Sequence, residues 1–368
     1  MYDVAVIGAG IAGCALAMEC ARRGADVVLV ERGQPGAGAS GAAAGMLAPG
    51  SEADEPGAFF DAARTSLAMW PTMAATAAEA SGIDCGLISC GLLRIAQDAA
   101  DAAALQQRIE WQRTAGVDVE RLDEPGTLAI EPACAEAGHG AAWYRDAGHV
   151  DSPAAVRAFA TAAQRLGATM LDGTEVVGAT AGGALRLAGN KDLHAATVVV
   201  AAGAWSSLVA TALGVHAPPL GPMRGQLILL RGARQLPQTV LYRGRLGYAL
   251  ARRDGTLVVG ATEEDAGFDV RATAAATEQL LGTARQLVSG ASEATFIGSR
   301  VGLRPTTPDG LPLLGELGTL GATRVLVASG HHRNGVLLAP LTATAMAQLA
   351  LEATPPPELE AFDPCRFG

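Results

Sequence analysis

The sequence predicts a fold in two parts: an α/β part built on a parallel sheet, and an inserted α+β part built on an antiparallel sheet. Three observations lead to this prediction. The chain opens with a strand, a helix and a strand within about thirty residues, which is typical of a parallel pair with a right-handed crossover. Residues 224–303 instead hold several short strand-like runs close together, which favours an antiparallel sheet. The α/β pattern then returns near the end of the chain.

Length and composition agree with a folded chain of two or three domains. The 368 residues are 49% hydrophobic and only 17% charged, and this balance excludes a disordered chain. No window of 18 apolar residues is free of charges and helix breakers, so we expect no transmembrane helix. The start, Met1-Tyr2-Asp3, lacks the basic region of a signal peptide, and we therefore expect a mature cytoplasmic protein.

The charged residues argue against several classes of partner. There are 27 basic and 37 acidic residues, giving a net charge of −10, and no run of Lys or Arg. We therefore expect no nucleic-acid partner and no binding to an anionic membrane surface. The six cysteines form no C-x-x-C pair and have no histidine at a zinc-like spacing, so we expect no metal site.

The first strand, helix and strand are the best defined elements. Val4–Ile7 and Val27–Val30 are continuous apolar runs, as expected of strands buried on both faces. Ile11–Arg23 has helical spacing and ends at Gly24. A loop rich in Gly and Ala follows, and residues 57–81 are predicted to be helical, with an interruption at Pro71.

The middle of the chain alternates between the two kinds of structure. Leu92–Ala96 is predicted to be a strand and Ala99–Ala115 a helix. Asp151-Ser152-Pro153 has the pattern of a helix cap with Pro in the first turn, opening a helix that runs to about Leu166. Thr197–Ala201 is a further buried strand.

The last third contains the inserted sheet and the final α/β unit. The predicted elements are strands at Gln226–Leu230, Tyr248–Ala251, Leu257–Ala261, Ala294–Leu303 and Arg324–Ala328, and helices at Ala274–Leu287 and Gly335–Leu351. We assign residues 1–84, 141–215 and 300–368 to a nucleotide-binding domain, and residues 85–140 and 216–299 to a substrate-binding domain.

A dinucleotide-binding fingerprint lies at the first strand-to-helix turn. Gly8, Gly10 and Gly13 match G-x-G-x-x-G: Gly8 permits the tight turn, Gly10 lets the backbone approach a pyrophosphate, and Gly13 lets helix and strand pack closely. The helix N-terminus offers free N–H groups to the phosphates. Glu31 closes the second strand, where its carboxylate can accept both ribose hydroxyls of an adenosine. These residues predict a Rossmann-like dinucleotide site.

The fingerprint alone leaves NAD and FAD open, and two further segments favour FAD. The loop Ala39–Met46 is made of small residues, which would let the backbone press against a flat ligand. Ser329–Gly335 joins a strand to a helix, and a helix start aimed at the flavin pyrimidine edge would stabilise the negative charge that reduction places there.

At these residues the sequence resembles the D-amino-acid oxidase superfamily of FAD enzymes, and within it the glycine oxidase branch associated with thiamine biosynthesis. The matching pieces span nearly the whole chain in family order. They are the fingerprint with Glu31, Ala42–Leu47, Val200–Trp205, Val258–Thr262, Gly302–Pro305 with Asp309-Gly310, and Gly330–Pro340. The last of these is the most specific, since relatives that oxidise sarcosine or reduce quinones differ there.

The resemblance implies a set of site residues. FAD, held non-covalently, should be lined by Ile11, Ala12, Glu31, Arg32, Ala39, Ser40, Ala44, Gly45, Met46 and Val176, and the flavin ring should be cradled by His331, His332, Arg333, Asn334, Gly335, Val336 and Leu337. Arg304 resembles the arginine that pairs with the substrate carboxylate, with Tyr248 and Arg333 as its neighbours. One departure is Leu246, which stands where the family can have a polar residue.

The resemblance also implies the reaction. Glycine and small amines such as sarcosine and small D-amino acids would be oxidised to the imine and glyoxylate, with O₂ reduced to H₂O₂ and the product supplying thiamine thiazole synthesis. Because the flavin N5 would accept a hydride from a neutral amine, no side chain is expected to act as a catalytic acid or base. The resemblance further suggests a homotetramer.

Two alternatives stay open at the level of sequence. The first is a dehydrogenase for D-amino acids or hydroxyproline that passes electrons to a quinone or carrier. The second is a flavin-binding partner subunit that does not turn over free amino acids.

Overall fold

The computed structural model describes residues 1–367, which contain ten α-helices. In chain order they are α1 (Ile11–Arg22), α2 (Ala39–Ala42), α3 (Pro49–Glu52), α4 (Ala58–Ser81), α5 (Ala99–Thr114), α6 (Glu124–Ile130), α7 (Ser152–Arg165), α8 (Ser206–Leu213), α9 (Ala274–Leu287) and α10 (Ala339–Glu352). The predicted cap of α7 is confirmed, because the Asp151 carboxylate accepts from the backbone N–H of Ala154.

The same residues form nineteen strands. They are β1 (Tyr2–Ile7), β2 (Val27–Val30), β3 (Met46–Leu47), β4 (Leu92–Ile95), β5 (Val119–Leu122), β6 (Ala141–Tyr144), β7 (Gly148–His149), β8 (Thr169–Leu171), β9 (Val176–Ala179), β10 (Leu185–Leu187), β11 (Lys191–Leu193), β12 (Ala195–Val200), β13 (Gly221–Arg231), β14 (Val240–Tyr242), β15 (Tyr248–Ala251), β16 (Thr256–Gly260), β17 (Thr295–Thr306), β18 (Leu313–Leu320) and β19 (Thr323–Ser329).

The first large sheet confirms the predicted parallel core. Its order is β18-β19-β12-β1-β2-β8, and every pair is parallel except β18 with β19. Apolar side chains of β1, β2 and β12 are buried on both faces, as the continuous apolar runs require. Helices α1, α4, α7 and α10 cover one face, while α8 and the small sheet β11-β10-β9 cover the other.

The second large sheet is the inserted one. Its order is β17-β13-β16-β15-β14-β4-β6-β5, and its pairs are antiparallel except for β14 with β4. Helix α9 packs on one face around Leu280, Ala284 and Leu287. The opposite face packs against α5 and lines the space between the two large sheets. The second half of strand β17, around Gly302, contacts α2 of the first part. Strand β17 therefore connects the two parts of the fold.

Three details of the sequence prediction differ from the structure. Helix α4 continues through Pro71, so the predicted interruption is wrong; the proline removes one intrahelical hydrogen bond, while packing of Trp70 and Met73 in the core holds the helix together. The last helix begins at Ala339 and not at Gly335. The loop rich in Gly and Ala contains α2 and β3.

The division into two domains stays a prediction. Strand β6 starts at Ala141 and pairs with β4 and β5 of the inserted sheet, so the sheet assignment favours a boundary after Tyr144 and not before Ala141. Among residues 1–367, none of the helices combines the length and apolar character needed to cross a bilayer.

Candidate active site

A cavity of about 400 Å³ lies between the two large sheets. The residues at one end are the fingerprint glycines with Glu31 and Ser40; we call this the glycine end. The residues at the other end are Tyr248, Glu263, Arg304, His332 and Arg333; we call this the arginine end. Both sheets contribute to the walls, so the site exists only where the two parts of the fold meet.

Two fingerprint glycines, Gly8 and Gly13, are required by the close packing of the backbone around them. Gly8 has φ +106°, and a Cβ there would lie 2.5 Å from the carbonyl oxygen of Ala201. A Cβ on Gly13 would lie 1.9 Å from the carbonyl oxygen of Gly8, so only glycine lets α1 pack this closely on β1. A Cβ on Gly10 would meet only the Ser40 Oγ, at 3.3 Å. The space at Gly10 is therefore left for a ligand.

Hydrogen bonds from the backbone fix the polar groups of the glycine end. The Glu31 carboxylate accepts from the N–H groups of Ala9 and Gly33, both at 2.8 Å, one on each oxygen. Each oxygen keeps a further lone pair for a ligand donor. The Ser40 Oγ accepts from the N–H of Ile11 at 2.9 Å, at the first turn of α1. The remaining N–H groups of that turn can bind an anion.

A half-buried arginine that the sequence did not reveal holds the small-residue loop in place. Arg252, on the turn between β15 and β16, donates to the carbonyl oxygens of Ala44 and Val150 and lies 3.1 Å from the His149 Nδ1. Gly45, which follows Ala44, has φ +84°, and a Cβ there would lie 2.2 Å from the Val150 carbonyl oxygen. Burial and the nearby Arg252 lower the pKa of His149 to about 4, so its ring is neutral and can accept from Arg252.

Arg304 is the cation of the arginine end that has no acidic partner among the described residues. Its Nη1 donates to the carbonyl oxygens of Thr262 at 3.0 Å and Arg224 at 3.4 Å, while its other N–H groups have no protein acceptor. Burial lowers the pKa of Arg304, because holding the charged guanidinium away from water costs free energy. An anionic ligand in the cavity would offset that cost.

Arg333 differs from Arg304 because it is already paired. Its Nη2 lies 3.0 Å from both carboxylate oxygens of Glu52, and the Tyr242 hydroxyl oxygen is 3.4 Å away. The Glu52 side chain is only 7% exposed, and its charge raises the pKa of Arg333. Glu52, the last residue of α3, gave no signal in the sequence, since it belongs to no recognisable motif. The pairing leaves Arg304 as the free cation.

Tyr248 and Leu246 lie on opposite sides of their segment. Tyr248 lines the cavity with its ring over Gly260, and burial raises its pKa, so the hydroxyl stays protonated. Leu246 does not line the cavity; its side chain packs against the core that α9 covers. The loss of a polar residue at position 246 therefore does not change the cavity wall directly.

The two adjacent histidines have different surroundings. The His331 Nε2 lies 3.0 Å from the Thr342 Oγ1, and burial lowers the pKa of His331 to about 4. His332 has φ +49°, in the left-handed region, where its N–H donates to the Pro305 oxygen at 2.8 Å. Its Nε2 is buried and has no hydrogen-bond partner among the described residues.

Most of the predicted site residues share this one cavity. All lie in its walls except Gly13, whose place is the contact between α1 and β1, and Leu337, whose side chain is in the core. The Leu337 carbonyl oxygen accepts from the Ser66 Oγ and the Trp70 Nε1. Val176 and Arg32 lie at the cavity, and the Arg32 guanidinium stacks 4.3 Å from the Trp205 ring centre.

The cavity fits a dinucleotide with a flat ring system. A free helix N-terminus, a carboxylate with open lone pairs and an unfilled space at Gly10 suit a pyrophosphate and a ribose. The small residues Ala43, Ala44 and Gly45, held by Arg252, leave room for a planar group. Among residues 1–367, no group of three or more His, Cys, Asp or Glu side chains is placed to hold a metal ion.

Comparisons with known proteins agree with this geometry. The family model described as "DAO: FAD dependent oxidoreductase" matches residues 3–349. The glycine oxidase of Geobacillus kaustophilus (strain HTA426) is 35% identical over 95% of this chain and 92% of its own. The bifunctional protein ThiO/ThiG of Nostoc sp. is 32% identical over 98% of this chain, which spans 54% of that longer protein.

A solved structure supports the same relation. The crystal structure of glycine oxidase from Geobacillus kaustophilus superposes with a TM-score of 0.93 at 35% identity, covering 98% of each chain. Similarity of this extent includes both sheets and both ends of the cavity.

Proposed function

Because this chain belongs to the DAO family of FAD dependent oxidoreductases, we propose that it is a glycine oxidase. It is an FAD-dependent oxidoreductase that acts on CH–NH₂ donors, as the sequence predicted. The substrates are glycine and small amines of the sarcosine and D-amino-acid type; the products are the imine or glyoxylate with ammonia, and H₂O₂. The relatives that join a ThiO part to a ThiG part support a role in supplying thiamine thiazole synthesis.

FAD is the cofactor, and the glycine end is the part of the cavity that would hold its pyrophosphate and ribose. The α1 N-terminus would meet the phosphates, and Glu31 would accept from the ribose hydroxyls. The segment 331–336 and the loop held by Arg252 would enclose the ring. When bound, FAD accepts two electrons from the substrate and delivers them to O₂.

The observation that carries the proposal is the unpaired guanidinium of Arg304. A small amino acid must be held in one orientation, and a planar guanidinium can bind both carboxylate oxygens at once. Arg304 has free N–H groups facing the cavity, whereas Arg333 is neutralised by Glu52. Tyr248 closes the same region and supplies a protonated hydroxyl beside the carboxylate. Positioning in a water-poor site then supplies much of the rate enhancement.

Anaerobic mixing with a panel of amines tests the proposal. Glycine, sarcosine and small D-amino acids should bleach the flavin absorbance, whereas methylamine, which has no carboxylate, should not. Under air, H₂O₂ should form in equal amount to the amine consumed. A flavin that small amino acids reduce, but that air reoxidises slowly compared with a quinone dye, would favour the dehydrogenase alternative. A flavin that no amine bleaches would contradict the proposal.

We also propose that the protein is a cytoplasmic homotetramer. Residues 1–367 contain six free cysteines and no disulfide, which agrees with a reducing compartment. Light scattering on the purified protein would test the tetramer, and a mass of about one chain would contradict it.

A further inference from the structure

A half-buried histidine and a carboxylate form a pair at the arginine end that the reaction as described does not use. The His332 Nε2 and the Glu263 Oε1 are 3.4 Å apart, within ion-pair distance but not aligned for a hydrogen bond. Both residues line the cavity. The ring of His332 is held there by a backbone in the left-handed region, fixed by the hydrogen bond to Pro305. A strained position that the surroundings maintain is often tied to function.

The pair lies directly beside Arg304. The Arg304 Nη1 donates to the carbonyl oxygen of Thr262, the residue before Glu263. The N–H of His332 donates to the carbonyl oxygen of Pro305, the residue after Arg304. The proposed carboxylate anchor therefore has the pair as its immediate neighbour.

A free amino acid brings a proton that must be removed before it can be oxidised. In neutral water its amine is an ammonium group, which has no lone pair to stabilise the carbon that loses electrons. In an α-amino acid the ammonium nitrogen is bonded to the carbon that carries the carboxylate. Binding of the carboxylate to Arg304 therefore places the ammonium group close to the side chains around Arg304. A proton acceptor in this position would let the enzyme bind the abundant zwitterion and oxidise the neutral amine.

We propose that the His332 Nε2, supported by Glu263, accepts the proton of the substrate ammonium group. This inference rests on the proposed function. An N–H bond of the ammonium breaks, its electron pair stays on the amine nitrogen, and a new N–H bond forms at Nε2. The positive charge moves to the imidazole, where the Glu263 carboxylate stabilises it, and the proton passes to water when the product leaves. No oxidant takes part in this step.

Burial makes the neutral form of His332 the resting one, and the charges that face it act in both directions. Burial lowers its pKa, as do the cations Arg304 and Arg333, while the carboxylates Glu263 and Glu52 act in the opposite direction. A lowered pKa means that the ring is unprotonated at neutral pH and lost as an acceptor only in acid. A substrate carboxylate on Arg304 would offset one of the opposing cations and make the ring a stronger acceptor.

The other groups nearby are less suited to this role. The Glu52 carboxylate is engaged by Arg333. Tyr248 has a raised pKa and would have to lose its own proton first. The His331 Nε2 is engaged by Thr342. The His332 Nε2 is the acceptor left without a partner.

The test compares His332→Phe and Glu263→Gln with the wild type. The measured quantity is the rate of anaerobic flavin reduction by glycine from mildly acidic to alkaline pH. At neutral pH, His332→Phe should be slower by about 10²-fold or more, the usual size of general-base effects. Its rate should rise about tenfold for each pH unit and approach the wild type in alkali, because the free amine then needs no acceptor. Glu263→Gln should show a smaller loss of the same kind.

Glu264→Gln is the matched control. Glu264 is the next residue, but its carboxylate pairs with Arg224 and does not line the cavity. The pH profile of flavin reduction in Glu264→Gln should have the same shape as that of the wild type. Flavin content per chain is measured for every variant, so that a loss of FAD is recognised as such.

An NMR titration of the histidine signals provides a readout that does not depend on turnover. The His332 signal is identified by its absence from His332→Phe, and Glu263→Gln should lower its pKa, because an anion that stabilises the imidazolium is removed. An unmoved His332 pKa, or a rate loss of equal size at every pH, would overturn the inference. Failure of the proposed function would look different: the wild-type flavin would not be reduced by any amino acid at any pH.

Discussion

The two ends of the cavity present different kinds of chemical group to a ligand. At the glycine end the ligand-facing groups are mostly backbone N–H groups, and the one carboxylate, Glu31, is fixed by the N–H groups of Ala9 and Gly33. At the arginine end the ligand-facing groups are charged side chains, among them Arg304, Arg333 and Glu263. The first end is formed by one continuous stretch of chain, whereas the second is assembled from segments far apart in sequence.

This difference separates cofactor binding from substrate selection. A backbone cradle depends on tight turns and close packing, so it tolerates few changes and offers one fixed shape. Side chains on separate strands and loops can be exchanged one at a time without disturbing the turn. We therefore expect changes at the glycine end to alter FAD retention, and changes at the arginine end to alter the use of amino acids.

The largest effect is expected from Arg304→Ala, which should leave FAD bound and weaken the use of glycine. Losing one side of a buried charged pair costs about 2–5 kcal/mol. At about 1.4 kcal/mol per decade, kcat/KM for glycine should fall about 30-fold to several thousand-fold. Arg304→Lys should recover only part of this, because an ammonium group cannot contact both carboxylate oxygens in the same plane. A kcat/KM within about threefold of the wild type would mean that Arg304 does not hold the carboxylate.

Glu31→Ala should produce the opposite pattern. It removes a charged acceptor for the ribose, a contact worth about 1.5–3 kcal/mol, so the FAD dissociation constant should rise about tenfold to a hundredfold. Once saturated with FAD, the variant should use glycine as the wild type does. Fluorescence titration of the apoprotein with FAD measures the change, and an unaltered dissociation constant would exclude Glu31 as the ribose ligand.

Two fingerprint glycines should respond differently to the same added methyl group. Gly13→Ala places a Cβ against the Gly8 carbonyl, so overpacking should lower the free energy of unfolding of the apoprotein by about 1–3 kcal/mol. Gly10→Ala meets only the Ser40 Oγ at 3.3 Å, so it should leave the apoprotein almost as stable and weaken FAD binding alone. Thermal unfolding with and without FAD distinguishes the two. Equal losses of apoprotein stability would show that the space at Gly10 is not kept for a ligand.

The smallest effect is expected from Glu52→Gln, which releases Arg333 from its ion pair. A second free cation at the arginine end should strengthen the binding of a dicarboxylate ligand such as iminodiacetate. Because the Arg333 side chain is 36% exposed, water competes with its partners, and a contact of this kind is worth up to about 1 kcal/mol, so the gain should be at most about fivefold. Glu55→Gln, an exposed carboxylate on the same segment, is the control. Weaker dicarboxylate binding in Glu52→Gln would indicate that the pair instead positions Arg333 for the ligand.

The same contrast explains what the sequence could predict. The parallel core, the fingerprint and helices such as Ala274–Leu287 follow from local periodicity and glycine spacing, and the structure confirms them. The Glu52–Arg333 pair, the Arg252 contacts and the Glu263–His332 pair each join residues on separate segments, and no local pattern records them. The predicted interruption at Pro71 is wrong because packing in the core, which no local sequence pattern shows, keeps α4 continuous.

The account depends most on the claim that the unpaired guanidinium of Arg304 is the carboxylate anchor. Titration of the FAD-bound protein with acetate, which has a carboxylate but no amine to oxidise, tests this claim without turnover. In the wild type, acetate should perturb the visible flavin spectrum in a saturable manner, and in Arg304→Ala this change should be lost or need at least about 30-fold more acetate. Acetate binding of equal strength in the two proteins would contradict the account.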